Sequence, residues 1–213
     1  MRIFILFLLL IIFTSGQSYS QRIKGAVIAG FNATQVDGDK AFGYNKLGFN
    51  VGAAAIIPFK KKWSISLENI FSQKGSHRGE IYIDPDESGS YTLRLNYVEV
   101  PVLVHYTDKK IITVGTGFSW GSLVGAKEWE HGYRTETSPD HGPYDKNDFS
   151  WLADVRFKIW KRLKFNFRFS YSIAKIRTRI FSDGERKQYN NVLSFRLLYI
   201  FNEQISENAL PGK

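Results

Sequence analysis

The chain has 213 residues, 43% hydrophobic and 15% aromatic, with a formal net charge of +9. It holds no cysteine, which excludes a disulfide framework, thiol chemistry and a cysteine-linked lipid anchor. The basic, aromatic-rich balance suits nucleic acid, but no nucleic-acid motif accompanies the charge, so nucleic acid is not an expected partner.

In chain order, Met1 and Arg2 precede a continuous apolar run from Ile3 to Phe13, followed by SGQSYS. This is the pattern of a signal peptide over residues 1–20, cut before Gln21, with an apolar stretch too short to span a bilayer. From Leu47 to Phe59 every odd position is apolar, and the alternation resumes at Trp63, Ile65 and Leu67 after a triple lysine. Period two is the signature of a strand, and the basic break that of a hairpin turn. The same pattern predicts eight strands, at 22–32, 46–59, 62–74, 91–106, 110–122, 149–160, 163–174 and 189–201. The connections at 60–62, 107–110 and 161–162 are tight, while those at 33–45, 75–90, 123–148 and 175–188 are long. Short turns on one rim, long loops on the other and an even strand count are the plan of a membrane-spanning barrel. The barrel is expected over residues 21–202, with a short tail over 203–213.

A soluble lipocalin-like barrel also has eight strands and one apolar face, so the other face must decide. Mid-strand it carries single charges, Glu68, Asp154, Arg156, Arg168 and Arg196, among small residues such as Gly48, Gly52, Gly115, Gly117, Ser170 and Ser194. That mixture fits a crowded lumen in which ion pairs satisfy one another. Aromatics gather at the strand ends. Phe59, Trp63, Trp160, Tyr199 and Phe201 lie near the short turns; Tyr91, Tyr97, Trp120, Phe149, Trp151 and Tyr171 lie toward the long loops. Two such bands are expected as girdles at headgroup depth. In the fourth strand the apolar residues are odd through Tyr97 and even from Val98 to Val104. Keeping both sets outward requires a β-bulge near Tyr97–Glu99, which turns Glu99, Leu103 and His105 into the lumen. The last strand, NVLSFRLLYIF, resembles the C-terminal signal by which the barrel assembly machinery recognises such proteins, although here the chain continues past it.

The pieces GAVIAGFNAT, LGFNVGAAAIIPF, WSISLENIFSQKG, LNYVEVPVLVHY and TVGTGFSWGSLVGA, with the aromatic final strand, resemble the PorT-like or porin-family outer-membrane barrels of Bacteroidetes-type bacteria. The resemblance covers nearly the whole chain after the leader and implies an all-β, eight-stranded antiparallel up-and-down barrel in the outer membrane, termini in the periplasm. It implies no single activity. Some relatives serve secretion, and fold is a poor guide to function.

Glu68, Glu99, Asp154, Arg156, Arg168 and Arg196 are expected to form a structural network filling the lumen, an eight-stranded barrel being only wide enough for its own side chains. A narrow channel is the alternative. Catalysis on lipid is another, but His105 has no evident serine or acid partner in the sequence, and His77 beside Ser76 and Glu80 has no recognisable spacing. In 123–148, His131, His141, Glu130, Asp140 and Asp145 match no metal motif. No metal or cofactor is expected; the segment reads first as a solvated polar loop, with a surface for a protein partner, anchored by its tryptophan and tyrosines, as the alternative. Arg177, Arg179 and Arg186 make the fourth loop basic and are expected to meet lipopolysaccharide phosphates.

Overall fold

The computed structural model describes residues 23–80, 89–135, 137–140 and 142–201. The expected signal peptide and the tail over 203–213 lie outside them. Ten strands follow in chain order: β1 (Lys24–Asp37), β2 (Lys46–Pro58), β3 (Trp63–Arg78), β4 (Tyr91–Asp108), β5 (Ile112–Glu130), β6 (Tyr133–Thr135), β7 (Asn147–Trp160), β8 (Leu163–Ser172), β9 (Arg177–Phe181) and β10 (Gly184–Ile200). The eight long ones are the predicted strands; β6 and β9 are short additions within the third and fourth loops. All pairings are antiparallel, and β1 pairs with β10 from Ala26↔Ile200 to Asp37↔Tyr189, closing the ring. Closure removes the free edges that an open sheet would present.

Alternation decides which side chain goes where. Leu47, Phe49 and Val51 project outward from β2, while Asn50, Ala54 and Ile56 are buried inside. The lower girdle forms as expected, with Phe59, Trp63, Trp160, Tyr199 and Phe201 all exposed on the outer face. At the opposite end Trp120, Phe149 and Trp151 are exposed too. A polar solvent face would be the rule for a soluble barrel; here the exposed outer face is the greasy one.

The fourth strand departs from expectation. Tyr91, Leu93, Leu95 and Tyr97 are buried, in register with Glu99, Leu103 and His105, so one parity points inward along all of β4. No bulge lies in β4. The register shift falls between Asn96 and Tyr97 on the partner's side, where Asn96 faces Gly125 and Tyr97 faces Leu123, leaving Val124 of β5 as the extra residue. The two tyrosines therefore belong to no girdle. They pack with Val36, Ala41, Leu93, Leu95, Leu123, Ala126, Tyr144 and Ile176 as an apolar cap over the lumen. The apolar residues of this half-strand reflect burial under folded loops, a second source of the same sequence pattern.

Strand length explains where that cap sits. About 9–11 residues suffice for a tilted strand to cross a bilayer. β8 has 10 residues, while β4 has 18 and β5 has 19. The β3–β5 wall therefore projects beyond the membrane on the loop side. Its outer face turns polar there, with Arg94 and Lys127 exposed.

Candidate functional site

The lumen is filled in tiers. In the lower tier, toward the short turns, Glu68 reaches from β3 across the barrel to three guanidinium groups. Arg168 donates to both its oxygens at 2.9 Å, Arg156 to Oε1 at 3.0 Å, and Arg196 to Oε2 at 3.2 Å. Asp154 accepts from Arg168 at 2.9 Å and from Arg156 at 3.4 Å. Register sets this up: Asp154 is the cross-strand partner of Arg168, and Asn166 that of Arg196, from which it accepts at 2.8 Å. Five of the six predicted network residues thus meet here.

The sixth, Glu99, sits one tier higher. It pairs at 2.5 Å with Lys74, which also pairs at 2.9 Å with Asp148. Asp148 further accepts from Ser172 at 2.7 Å and Asn190 at 2.9 Å, and Lys74 lies 5.0 Å from the centre of the Tyr97 ring. Lys74 and Asp148 were missed in the sequence, although each shares the parity of the lumen charge on its own strand, Glu68 and Asp154. The predicted strand began one residue after Asp148, which hid it. Together the two tiers set four carboxylates, Glu68, Glu99, Asp148 and Asp154, against four cations, Lys74, Arg156, Arg168 and Arg196. Between the tiers lies a cavity of about 10 Å³ lined by Asn50, Ser72, Glu99, Ser170, Arg168 and Arg196, among others. That is room for about one water molecule.

His105 is not the isolated residue the sequence suggested. Its Nε2 lies 3.0 Å from Asp154 Oδ1 and its Nδ1 3.4 Å from Ser66 Oγ. A hydroxyl, an imidazole and a carboxylate in line are the residue types of nucleophilic catalysis. Here all three are buried at 3% exposure or less. Asp154 is committed to two arginines, and Ser66 does not line the cavity. Gly115 leaves the space this contact needs: a Cβ there would collide with the His105 ring and the Asp154 carboxylate. The arrangement knits β3, β4 and β7 together. His77, the other candidate, bonds Thr92 at 2.9 Å, and Ser76 bonds Asp39.

The mouth is held by a third cluster. Arg177 donates to Glu128 at 2.9 and 3.1 Å and to the Tyr144 hydroxyl at 2.7 Å; Tyr91 donates to Glu128 at 2.8 Å. Arg179 donates to Glu130 at 2.5 Å. The β5–β6 and β9–β10 hairpins are thereby latched to one another. Two of the three arginines expected to meet lipopolysaccharide thus engage the protein's own acids, while Arg186 pairs with Asp183 at the more exposed tip. Glu136 and His141 of the predicted partner loop lie outside the described residues. Among the described residues no group of three histidines or carboxylates converges to hold a metal.

The β1–β2 loop completes the cover. Asp39 is buried, accepting from Ser76 and, at 2.8 Å, from the Ala41 amide, with Arg78 and Arg179 nearby. Burial outweighs these partners and pushes its carboxyl up from 3.8 to about 6. The docked loop therefore binds an extra proton between those values. Its contribution to stability is fully present below about pH 4 and lost as pH rises through 6. Hydrogen exchange at the Ala41 amide, corrected for intrinsic rate, should report an opening population about tenfold larger at about pH 7.5 than at about pH 5. Asp39→Asn should erase that difference.

A closed antiparallel ring with a greasy outer belt, aromatic girdles and a charge-filled lumen defines an integral β-barrel membrane protein. Residues 16–177, more than half of the chain, match the outer membrane protein beta-barrel domain, and the chain belongs to that family. Its place is the outer membrane. Similar solved structures include Ail, the attachment invasion locus protein of Yersinia pestis, at 16% identity and TM-score 0.49, covering 84% of this chain and 99% of that one. Neisserial surface protein A is similar at 11% identity and TM-score 0.51, over 83% and 97%. OprG from Pseudomonas aeruginosa aligns at 11% identity and TM-score 0.43, over 86% and 98%. At these identities the likeness is one of fold. No curated protein matches the chain.

Proposed function

We propose that this is a non-enzymatic barrel whose lumen is a structural plug and whose work is done by the sheet it projects beyond the membrane. The observation that carries this reading is the lumen itself. Four buried carboxylates are matched by four buried cations, and the cavity between the tiers is about 10 Å³. A hydrated ion needs a continuous polar path, and ion pairs that tie the walls together across the lumen support a plug over such a path. Catalysis requires a nucleophile that substrate can reach, and Ser66 is wholly buried. What remains available is the outer rim, where Tyr133 is 82% exposed on β6 beside the exposed Arg134. Exposed aromatic and arginine side chains are the usual anchors of protein recognition.

The motifs shared with PorT-like barrels support placing the chain in that branch, and with it a role beside a secretion or envelope assembly. The outward row Leu193, Phe195, Leu197, Tyr199 and Phe201 of the last strand supports recognition by the barrel assembly machinery. Of the arginines first expected to meet lipopolysaccharide, Arg186 is the one whose position supports that contact, its side chain being 40% exposed.

A photo-crosslinking residue placed at Tyr133 or Arg94 in intact cells tests the main reading. A discrete protein adduct is expected at these positions and none at Phe118 on the lipid face. Equal, diffuse labelling at all three would contradict a presenting role.

A further inference from the structure

On the outer face at the short-turn end, one place is built differently from the rest of the girdle. Along β7 the buried positions are even from Asp148 to Arg156, so simple alternation would send Trp160 toward the lumen. The register shifts between Lys158 and Trp160: Lys158 faces Lys164, but Trp160 faces Leu163, leaving Ile159 as an extra residue. A bulge re-aims the side chains that follow it, and Trp160 stands outward, 69% exposed. Across β8, Leu163 is in turn the partner of Tyr199 on β10. The result is an aromatic wall on either side of a shorter leucine, a groove of about 310 Å³ lined by Trp160, Lys161, Arg162, Leu163 and Tyr199. The Ile200 amide donates to the Arg162 carbonyl at 3.0 Å, which fixes the turn beside Tyr199.

The charge around this groove has one sign. The hairpin over 157–166 contains Lys158, Lys161, Arg162 and Lys164 and no acid. The β2–β3 turn is equally basic in sequence, but its setting differs: an acid from the end of β4 stands beside it, and its aromatics face one another. There Trp63 and Tyr106 pack edge to face at 5.2 Å, filling the space between them, and Lys62 pairs with Asp108.

We propose that this groove binds one anionic glycerophospholipid of the periplasmic leaflet. Its acyl chains lie along Leu163 between the two rings, and its phosphate meets Lys161 and Arg162. The position of the groove selects the occupant. It opens on the lipid-facing surface at the end opposite the long loops, where short turns face the periplasm. Aromatic walls suit the glycerol and upper chain region, and interfacial cations suit the phosphate.

The test is native mass spectrometry of the full-length protein released from detergent, titrated with phosphatidylglycerol or phosphatidylcholine of identical chains. One tightly held phosphatidylglycerol is expected. The double substitution Lys161→Gln and Arg162→Gln should weaken it roughly thirtyfold, the effect of two interfacial cations. Lys60→Gln with Lys61→Gln, at the filled turn, should leave it unchanged. Leu163→Trp, which fills the groove from the outer surface, should lower the affinity for both lipids. The proposal is overturned if the wild-type protein holds both lipids equally, if the Lys161 and Arg162 variant keeps its affinity, or if the Lys60 and Lys61 variant loses as much.

Discussion

Glu68→Ala should destabilise the barrel by about 3–5 kcal/mol, the cost of stranding buried charges whose partner is removed. Three guanidinium groups converge on that one carboxylate at 2.9 to 3.2 Å. Asp154 alone cannot balance them. The loss is readable as a lower urea midpoint for the protein folded in lipid vesicles, or as a lower temperature at which the SDS-resistant folded band disappears. Glu68→Gln should cost less, because one oxygen still accepts. The contrast is with the turn pair Lys62–Asp108, 3.4 Å apart with both side chains more than half exposed. Removing it should cost under about 1 kcal/mol. Equal effects at the two sites would mean that the lumen is open to water.

Lys74→Met is the second large effect, again about 3–5 kcal/mol. It leaves Glu99 and Asp148 facing one another without the ammonium that joins them. Met retains much of the length and volume, so the loss reports charge rather than a cavity. Adding Asp148→Asn should recover part of it, since Asn can still receive and give hydrogen bonds to Ser172 and Asn190. A double-mutant cycle between positions 74 and 148 should therefore show strong coupling, within the 0.5–3 kcal/mol typical of residues in contact. Additive effects would break the account of this tier as one unit.

The period-two pattern made the architecture legible, because a strand that divides lipid from lumen must alternate. It made the lower tier legible too, since Glu68, Asp154, Arg156, Arg168 and Arg196 share the parity of small lumen residues. The pattern misled where two environments look alike. Tyr91, Leu93, Leu95 and Tyr97 are as apolar as a lipid face, yet they pack beneath Ala41, Tyr144 and Ile176 from three different loops. Nothing within β4 announces which segments will cover it. The bulge was placed at the right height on the wrong strand, since Val124 of β5 absorbs the offset opposite Asn96 and Tyr97. The Ser66–His105–Asp154 contact was invisible because it joins β3, β4 and β7 through the barrel interior. Arg177 and Arg179 looked like free loop cations because the predicted fifth strand stopped at 122, whereas β5 runs on to Glu130 and carries Glu128 and Glu130 toward them.

Whether the lumen is plugged can be read from ion current across a planar bilayer. The full-length protein, shown to be folded by its heat-dependent gel shift, should give no steady ohmic conductance above the bare membrane. Stable unitary currents from the folded wild-type protein would contradict the account, showing that the network of Glu68, Lys74 and their partners lines a path instead of closing one.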